Sequence, residues 1–263
     1  MITEEFIKSA PKSDLHVHLD GSLRVPTLIE IARQDNIPLP SYTEAGLYET
    51  VYKDKYDSLE EYLAGFQYTT QAMQSPENLE RIAYEFALDN QAEGVRYVEV
   101  RFAPQLHINS RMDLEKVMAS VNKGMARAAR EFNKKPEVVS GREPRFVYGI
   151  IACALRAFGR MSEYYNVFLD AHPFSNEKRK FGLASYELVQ GVVGVRDALG
   201  IPIVGFDLAG PEYGFPADDH SKAFQFAQKN FLHKTVHAGE AYGPESIFQA
   251  ITDLYAERIG HGY

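Results

Sequence analysis

Two histidines one residue apart stand in Leu15-His16-Val17-His18-Leu19-Asp20-Gly21-Ser22. In a strand, positions i and i+2 project to the same face, so His16 and His18 present two imidazoles side by side while Val17 and Leu19 pack outward. Imidazole is the commonest metal-ligating side chain, and two on one strand can form adjacent corners of a metal site. The plainer alternative is a pair of histidines that happen to alternate. A second segment, Thr235-Val236-His237-Ala238-Gly239-Glu240, runs from an apolar strand into a turn of small residues. It offers a third imidazole at a strand end and, three residues on, a carboxylate. Hydrolysis at a metal needs this combination: ligands, and an acid/base that is not a ligand. A third segment, Arg258-Ile259-Gly260-His261-Gly262, ends a strand in a histidine between glycines, which mark close approach of backbone.

These residues need elements to position them. Short apolar, β-branched runs alternate with longer amphipathic stretches, which reads as βα units around a parallel sheet. Strands are predicted at Asp14–Leu19, Val95–Phe102, Phe146–Leu155, Ile203–Asp207, Thr235–His237 and Arg258–His261. Helical patterns lie at Pro26–Gln34, Leu59–Met73, Pro76–Glu93, Met112–Phe132, Ala184–Leu199 and Ser221–Asn230, with Asn133–Arg145 as an exposed loop. Barrel and open doubly wound sheet both fit this alternation. No glycine-rich phosphate loop follows any strand, which favours the barrel. Six strands fall short of eight. Four of the eight histidines sit at strand C-terminal ends, which converge on one mouth in a barrel. His107, His172, His220 and His233 fall in loops or polar segments and are expected to be solvated. Cys153 is expected to be a small core hydrophobe.

The composition narrows the class. With 263 residues, 45% of them hydrophobic, the chain can bury a sizeable core as a single domain spanning 1–263. A formal charge of −8 disfavours nucleic acid, whose binding rests on Lys and Arg. The single cysteine excludes a disulfide framework and a cysteine-rich metal site. No apolar run approaches the ~18 residues of a membrane span, and the polar, acidic start Met1–Asp14 lacks a signal-peptide pattern. A cytoplasmic protein without membrane or nucleic-acid partners is expected; its oligomeric state is not legible.

Pro11-Lys12-Ser13-Asp14-Leu15-His16-Val17-His18-Leu19-Asp20-Gly21-Ser22, then Asp207-Leu208-Ala209-Gly210, His237-Ala238-Gly239-Glu240 and Gly260-His261-Gly262-Tyr263, resemble in order the successive motifs of adenosine deaminases. Arg81–Phe86 and Tyr97–Phe102 are similar in style. The resemblance implies a TIM (β/α)8-type barrel of the metal-dependent hydrolase superfamily, with about six of eight βα units present here. It implies one zinc ion and hydrolytic deamination of adenosine, with 2′-deoxyadenosine expected beside it. Carried over by motif, His16, His18 and His237 are the expected zinc ligands, Glu240 the proton donor to purine N1, and His261 the group that orients the attacking hydroxide. The Gly210 N–H is expected at purine N3 and Asp20 at the ribose 5′-hydroxyl. Leu59, Tyr62, Leu63 and Phe66 fall where the family has an apolar lid, although their i, i+3, i+4, i+7 spacing equally describes a core-facing helix. Bound zinc lowers the pKa of water from 15.7 to about 7, and burial of Glu240 would keep it protonated.

The family pattern ends in an Asp-Asp pair after the eighth strand, and none follows Tyr263. Asp218-Asp219, in a loop before a helix, is rejected as its substitute. The chain is therefore expected to be a fragment with unpaired edges on strands one and six and little activity until two more βα units are restored. Phe158–Leu183 is long for a connection and is expected to be an exposed excursion. Two other readings stay open: an adenine deaminase of the same superfamily, against which Asp20 argues, and a non-catalytic metal or nucleoside binder.

Overall fold

A computed structural model describes residues 3–263. Six strands, β1 (Lys12–His18), β2 (Val95–Phe102), β3 (Val147–Leu155), β4 (Ile203–Ala209), β5 (His233–Ala238) and β6 (Arg258–His261), form a sheet in the order β1-β2-β3-β4-β5-β6. Every neighbouring pair is parallel. Strand order that follows chain order without reversal belongs to barrel staves, and a doubly wound sheet is excluded because it must reverse. The fold is a partial TIM barrel. The outer edges of β1 and β6 have no strand partner among the described residues, yet the sheet curls until the rings of His16 and His261 are 4.8 Å apart.

The strands read as expected from an all-parallel sheet covered on its outer face. In β3 the run from Gly149 to Ala154 is buried without alternation, and Val98, Val100, Phe206 and Val236 are fully enclosed. Side-chain caps fix where helices begin. Ser75 accepts from the Asn78 N–H ahead of Pro76–Ala92, and Asp113 accepts from Lys116 ahead of Leu114–Phe132. The helix expected from Ala184 starts earlier, at Glu177, because Asn176 caps it with an acidic residue in the first turn.

Other expectations change. Leu59–Met73 divides at Gly65, a weak helix former, into Leu59–Ala64 and Phe66–Ala72. The helices Glu4–Ser9, Glu44–Thr50, Glu163–Ala171 and Pro244–Thr252 were not expected from the sequence. Asn133–Arg145 is mostly exposed, with one helical turn at Pro136–Val139 that buries Val138. Phe158–Leu183 is not an exposed excursion. Phe158, Tyr165, Phe168 and Phe181 form a second apolar cluster, with Phe158 stacked on Tyr165 at 4.0 Å. Gln105 fastens this cluster to the barrel, donating to Tyr164 Oη and the Ala184 carbonyl and accepting from Tyr165 Oη. No helix among the described residues is long and apolar enough to cross a membrane.

Candidate active site

The C-terminal ends of the strands enclose a cavity of about 400 Å³. At its base, β1 and β5 bring together the three histidines singled out in the sequence. His237 Nε2 lies 3.1 Å from His16 Nε2 and 3.0 Å from His18 Nε2. Parallel pairing of β5 with β6 sets Gly260 opposite His237, and a side chain at Gly260 would come within 2.4 Å of the His16 ring. Glycine is required there because the imidazole occupies that space.

The electrostatics of this group fit a cation. Burial, together with Arg101 for His16 and with His237 for His18, pushes both imidazoles down to about 3, so they are neutral at pH 7. His237 Nδ1 sits 3.0 Å from the Asp207 carboxylate. An ionised carboxylate only accepts, so Nδ1 carries the hydrogen and Nε2 turns a lone pair toward the other two rings. Burial alone would raise Asp207; neighbouring His237 and Arg101 overturn that and hold it well below the carboxylate range. The three imidazoles can each offer one ligand atom within 4.8 Å of the others. Imidazole nitrogens converging on one point, one ring oriented by a carboxylate, are a donor set that suits zinc and other borderline divalent ions.

Glu240 and His261 complete the mouth. Gly239, at φ 73°, turns the chain after β5, and Glu240 Oε2 comes 3.5 Å from His261 Nε2. His261 itself holds a left-handed φ of 71°, a conformation non-glycine residues keep only where surroundings enforce it. Burial lowers its imidazole from the ordinary value, with the Glu240 charge opposing. Asp20 is enclosed behind His18, and burial pushes its carboxyl up to about 7 against the backbone N–H groups of Asp20 and Gly21. Its Oδ1 has no hydrogen-bond partner among the described residues, with His18 Nδ1 3.8 Å away. Gly210 lines the cavity at φ 98°, where a side chain would be strained. Leu59, Tyr62, Leu63 and Phe66 all line it too, and no residue of Leu59–Ala64 is buried, so their spacing serves the cavity and not a core.

Two histidine expectations are corrected. His107 and His220 are enclosed, not solvated: Ser185 Oγ meets His220 Nδ1 at 2.7 Å, while His107 lies against the Phe102 ring. Burial lowers them to about 4 and about 3. His233 is exposed as expected; His172 is half-buried, its ring stacked on Phe168. Cys153 is buried, but it also reaches the cavity and lies 3.4 Å from Asp207. Asp218 and Asp219 lie outside the cavity lining.

Several residues of the site were not identified from sequence. Arg101, on β2, donates to Asp207 at 2.9 Å and to the Leu15 carbonyl beside His16. Arg156 follows β3 and donates to the His237 carbonyl. Glu212 accepts from the turn after Glu240. The usable signal was a charge within an otherwise apolar strand run, in Val98-Glu99-Val100-Arg101-Phe102 and Phe206-Asp207-Leu208.

Comparison with known proteins adds the following. The adenosine deaminase family model matches residues 11–142 and 183–263, leaving 143–182 outside the match. The chain is 36% identical over 260 residues to adenosine deaminase of Mycobacterium leprae, covering 98% of this chain and 62% of that protein. Among solved structures, the N6-methyl-AMP deaminase from Arabidopsis thaliana superposes with a TM-score of 0.68 at 26% identity, over 98% of this chain and 66% of that one. Adenine deaminase from Arthrobacter aurescens gives 0.68 at 24% identity over 95% and 64%, a likeness of fold alone. The chain thus spans less than two thirds of the length of these proteins.

Proposed function

Because the chain belongs to the adenosine deaminase family, we propose that its site removes the exocyclic amine of adenosine by hydrolysis, giving inosine and ammonia, with one zinc ion held by His16, His18 and His237. The observation that carries this reading is the convergence of three imidazoles beside the Glu240–His261 pair at the base of a largely apolar cavity. A zinc ion bound there supplies Lewis acidity, which lets water ionise near neutral pH. Glu240 donates a proton to purine N1, so that C6 can accept the attacking oxygen. His261 takes a hydrogen bond from the water and aims it at C6. The Gly210 N–H meets purine N3, and the rings of Tyr62 and Phe66 cover the base with Leu59 and Leu63. Asp20 accepts the ribose 5′-hydroxyl, satisfying its otherwise unpartnered Oδ1.

The cavity favours a nucleoside over a nucleotide. Among the described residues no lysine or arginine lines it, so a 5′-phosphate approaching the enclosed Asp20 finds no compensating cation there. Asp20 likewise favours a ribosylated base over free adenine, which has no hydroxyl to offer. The fall in ultraviolet absorbance as adenosine becomes inosine tests the reading, with adenine and AMP assayed in parallel. Turnover of adenosine well above both is expected from the chain extended to the full length of its relatives, together with loss of activity on chelation and recovery with Zn2+. Turnover of adenine or AMP alone rejects the substrate assignment. Binding of Zn2+ without turnover of any of them favours the non-catalytic reading.

A further inference from the structure

Glu240 stands on the turn between His237 and Tyr242, and that turn is held from beneath by a buried assembly separate from the imidazoles. Glu212, in the loop after β4, is 2% exposed. One of its carboxylate oxygens, Oε2, accepts from both the Ala241 and Tyr242 N–H groups at 2.8 Å; the other accepts from Ser246 Oγ at 3.2 Å. Ser246 belongs to the first turn of the helix Pro244–Thr252. Its hydroxyl also lies 3.5 Å from Arg156 Nη2, which donates to the His237 carbonyl at 2.8 Å. Arg156 Nη1 donates to the Phe215 carbonyl, tying in the loop that carries Glu212. The two ends of the turn are thus gripped by opposite buried charges, Arg156 at His237 and Glu212 at Ala241 and Tyr242, with Ser246 between them.

We propose that Glu212 is a positioning residue for the deamination assigned above: by accepting two successive N–H groups immediately after Glu240, it fixes the direction in which the Glu240 carboxyl faces His261 and the purine. A bare helix-capping role would need one N–H; two bonds from one oxygen fix both the position and the tilt of the peptide that follows Glu240. Glu212 itself is enclosed, so its carboxylate is costly to leave without these donors. Arg156 does the corresponding work at the metal-ligand end, so loss of Glu212 displaces Glu240 while leaving His237 in place.

The inference rests on the proposed deamination, and the test separates the two. Glu212→Ala and Glu212→Gln are compared with the unaltered protein in Zn2+, each in the chain extended to the full length of its relatives. Amide exchange at Ala241 and Tyr242 is read by mass spectrometry or NMR, Zn2+ stoichiometry by metal analysis, and kcat and KM on adenosine. With Glu212→Ala, exchange at both amides is expected to quicken about 10-fold or more, with Zn2+ still bound one per chain. Its kcat is expected to fall about 10- to 100-fold with little change in KM. Glu212→Gln, whose carbonyl can still accept both N–H groups, restores most of each. Unchanged exchange in Glu212→Ala, or faster exchange with unchanged kcat, overturns the proposal. Loss of Zn2+ together with the exchange protection also overturns it, since that marks general collapse of the site. If the unaltered protein turns over no adenosine, the deamination assignment fails, and the exchange comparison alone decides whether Glu212 holds the turn.

Discussion

His237 Nδ1 lies 3.0 Å from Asp207, and the same fully buried carboxylate receives Arg101 Nη1 at 2.9 Å. One carboxylate therefore selects the tautomer of a proposed metal ligand and neutralises a buried guanidinium. Arg101 in turn holds the Leu15 carbonyl next to His16, so β1, β2, β4 and β5 are joined beneath the three imidazoles.

Asp207→Asn should weaken Zn2+ binding about 10- to 100-fold, because His237 loses the charged acceptor that holds Nδ1–H and strengthens Nε2 as a ligand. It also leaves Arg101 buried without its counter-charge, lowering stability by about 3 kcal/mol or more. Equilibrium dialysis against Zn2+ and urea unfolding read the two effects separately. Unchanged Zn2+ affinity would show that the carboxylate does not orient His237.

Glu240→Gln keeps the shape of the mouth and removes the proton donor. Its kcat on adenosine should drop about 10²- to 10⁴-fold with bound Zn2+ unchanged. Steady-state kinetics with metal analysis on the same sample decide the matter. A loss confined to KM would assign Glu240 to binding instead.

Asp20 should trade stability against binding. In the folded protein it keeps its proton to about 7, whereas the unfolded chain releases it near 3.8, so rising pH between those values favours unfolding. Asp20→Asn should accordingly be about 1–3 kcal/mol more stable than the unaltered protein at pH 8, with the difference vanishing toward pH 4. The same change should raise KM for adenosine about 10-fold or more and leave 5′-deoxyadenosine nearly unaffected. Equal losses on both nucleosides would remove Asp20 from the 5′-hydroxyl.

His107 and His220 predict how acid destabilises the fold. Unfolded, each takes a proton near 6.5; folded, only near 4 and 3, because burial disfavours the charged ring. Below pH 6.5 the unfolded state binds more protons, so stability falls toward pH 4, by at most about 1.4 kcal/mol per pH unit for each ring. In chelator, His107→Gln should flatten the dependence of urea midpoints between pH 6.5 and 4.5. An unchanged slope would place that acid sensitivity in other groups.

Local pattern carried much of this fold. The boundaries of β2 and β6 agree with the strands expected from the sequence residue for residue. The spacing of His16 and His18 put both rings on one face, and strand-end positions foretold that His237 and His261 would meet them. The chain itself thus determined the barrel staves and the residues at their mouth, because strand periodicity and turn chemistry act over a few neighbours. Only the tertiary structure decided that Phe158–Leu183 packs as a second core, that His107 and His220 are enclosed, and that Asp207, Arg101, Arg156 and Glu212 brace the site. Arg101 and Asp207 are 106 positions apart, and Arg156 and His237 are 81 apart. Contacts at such separations leave no period in the sequence; curvature of the sheet brings these buried charges together, and enclosure from water then makes their pairing obligatory.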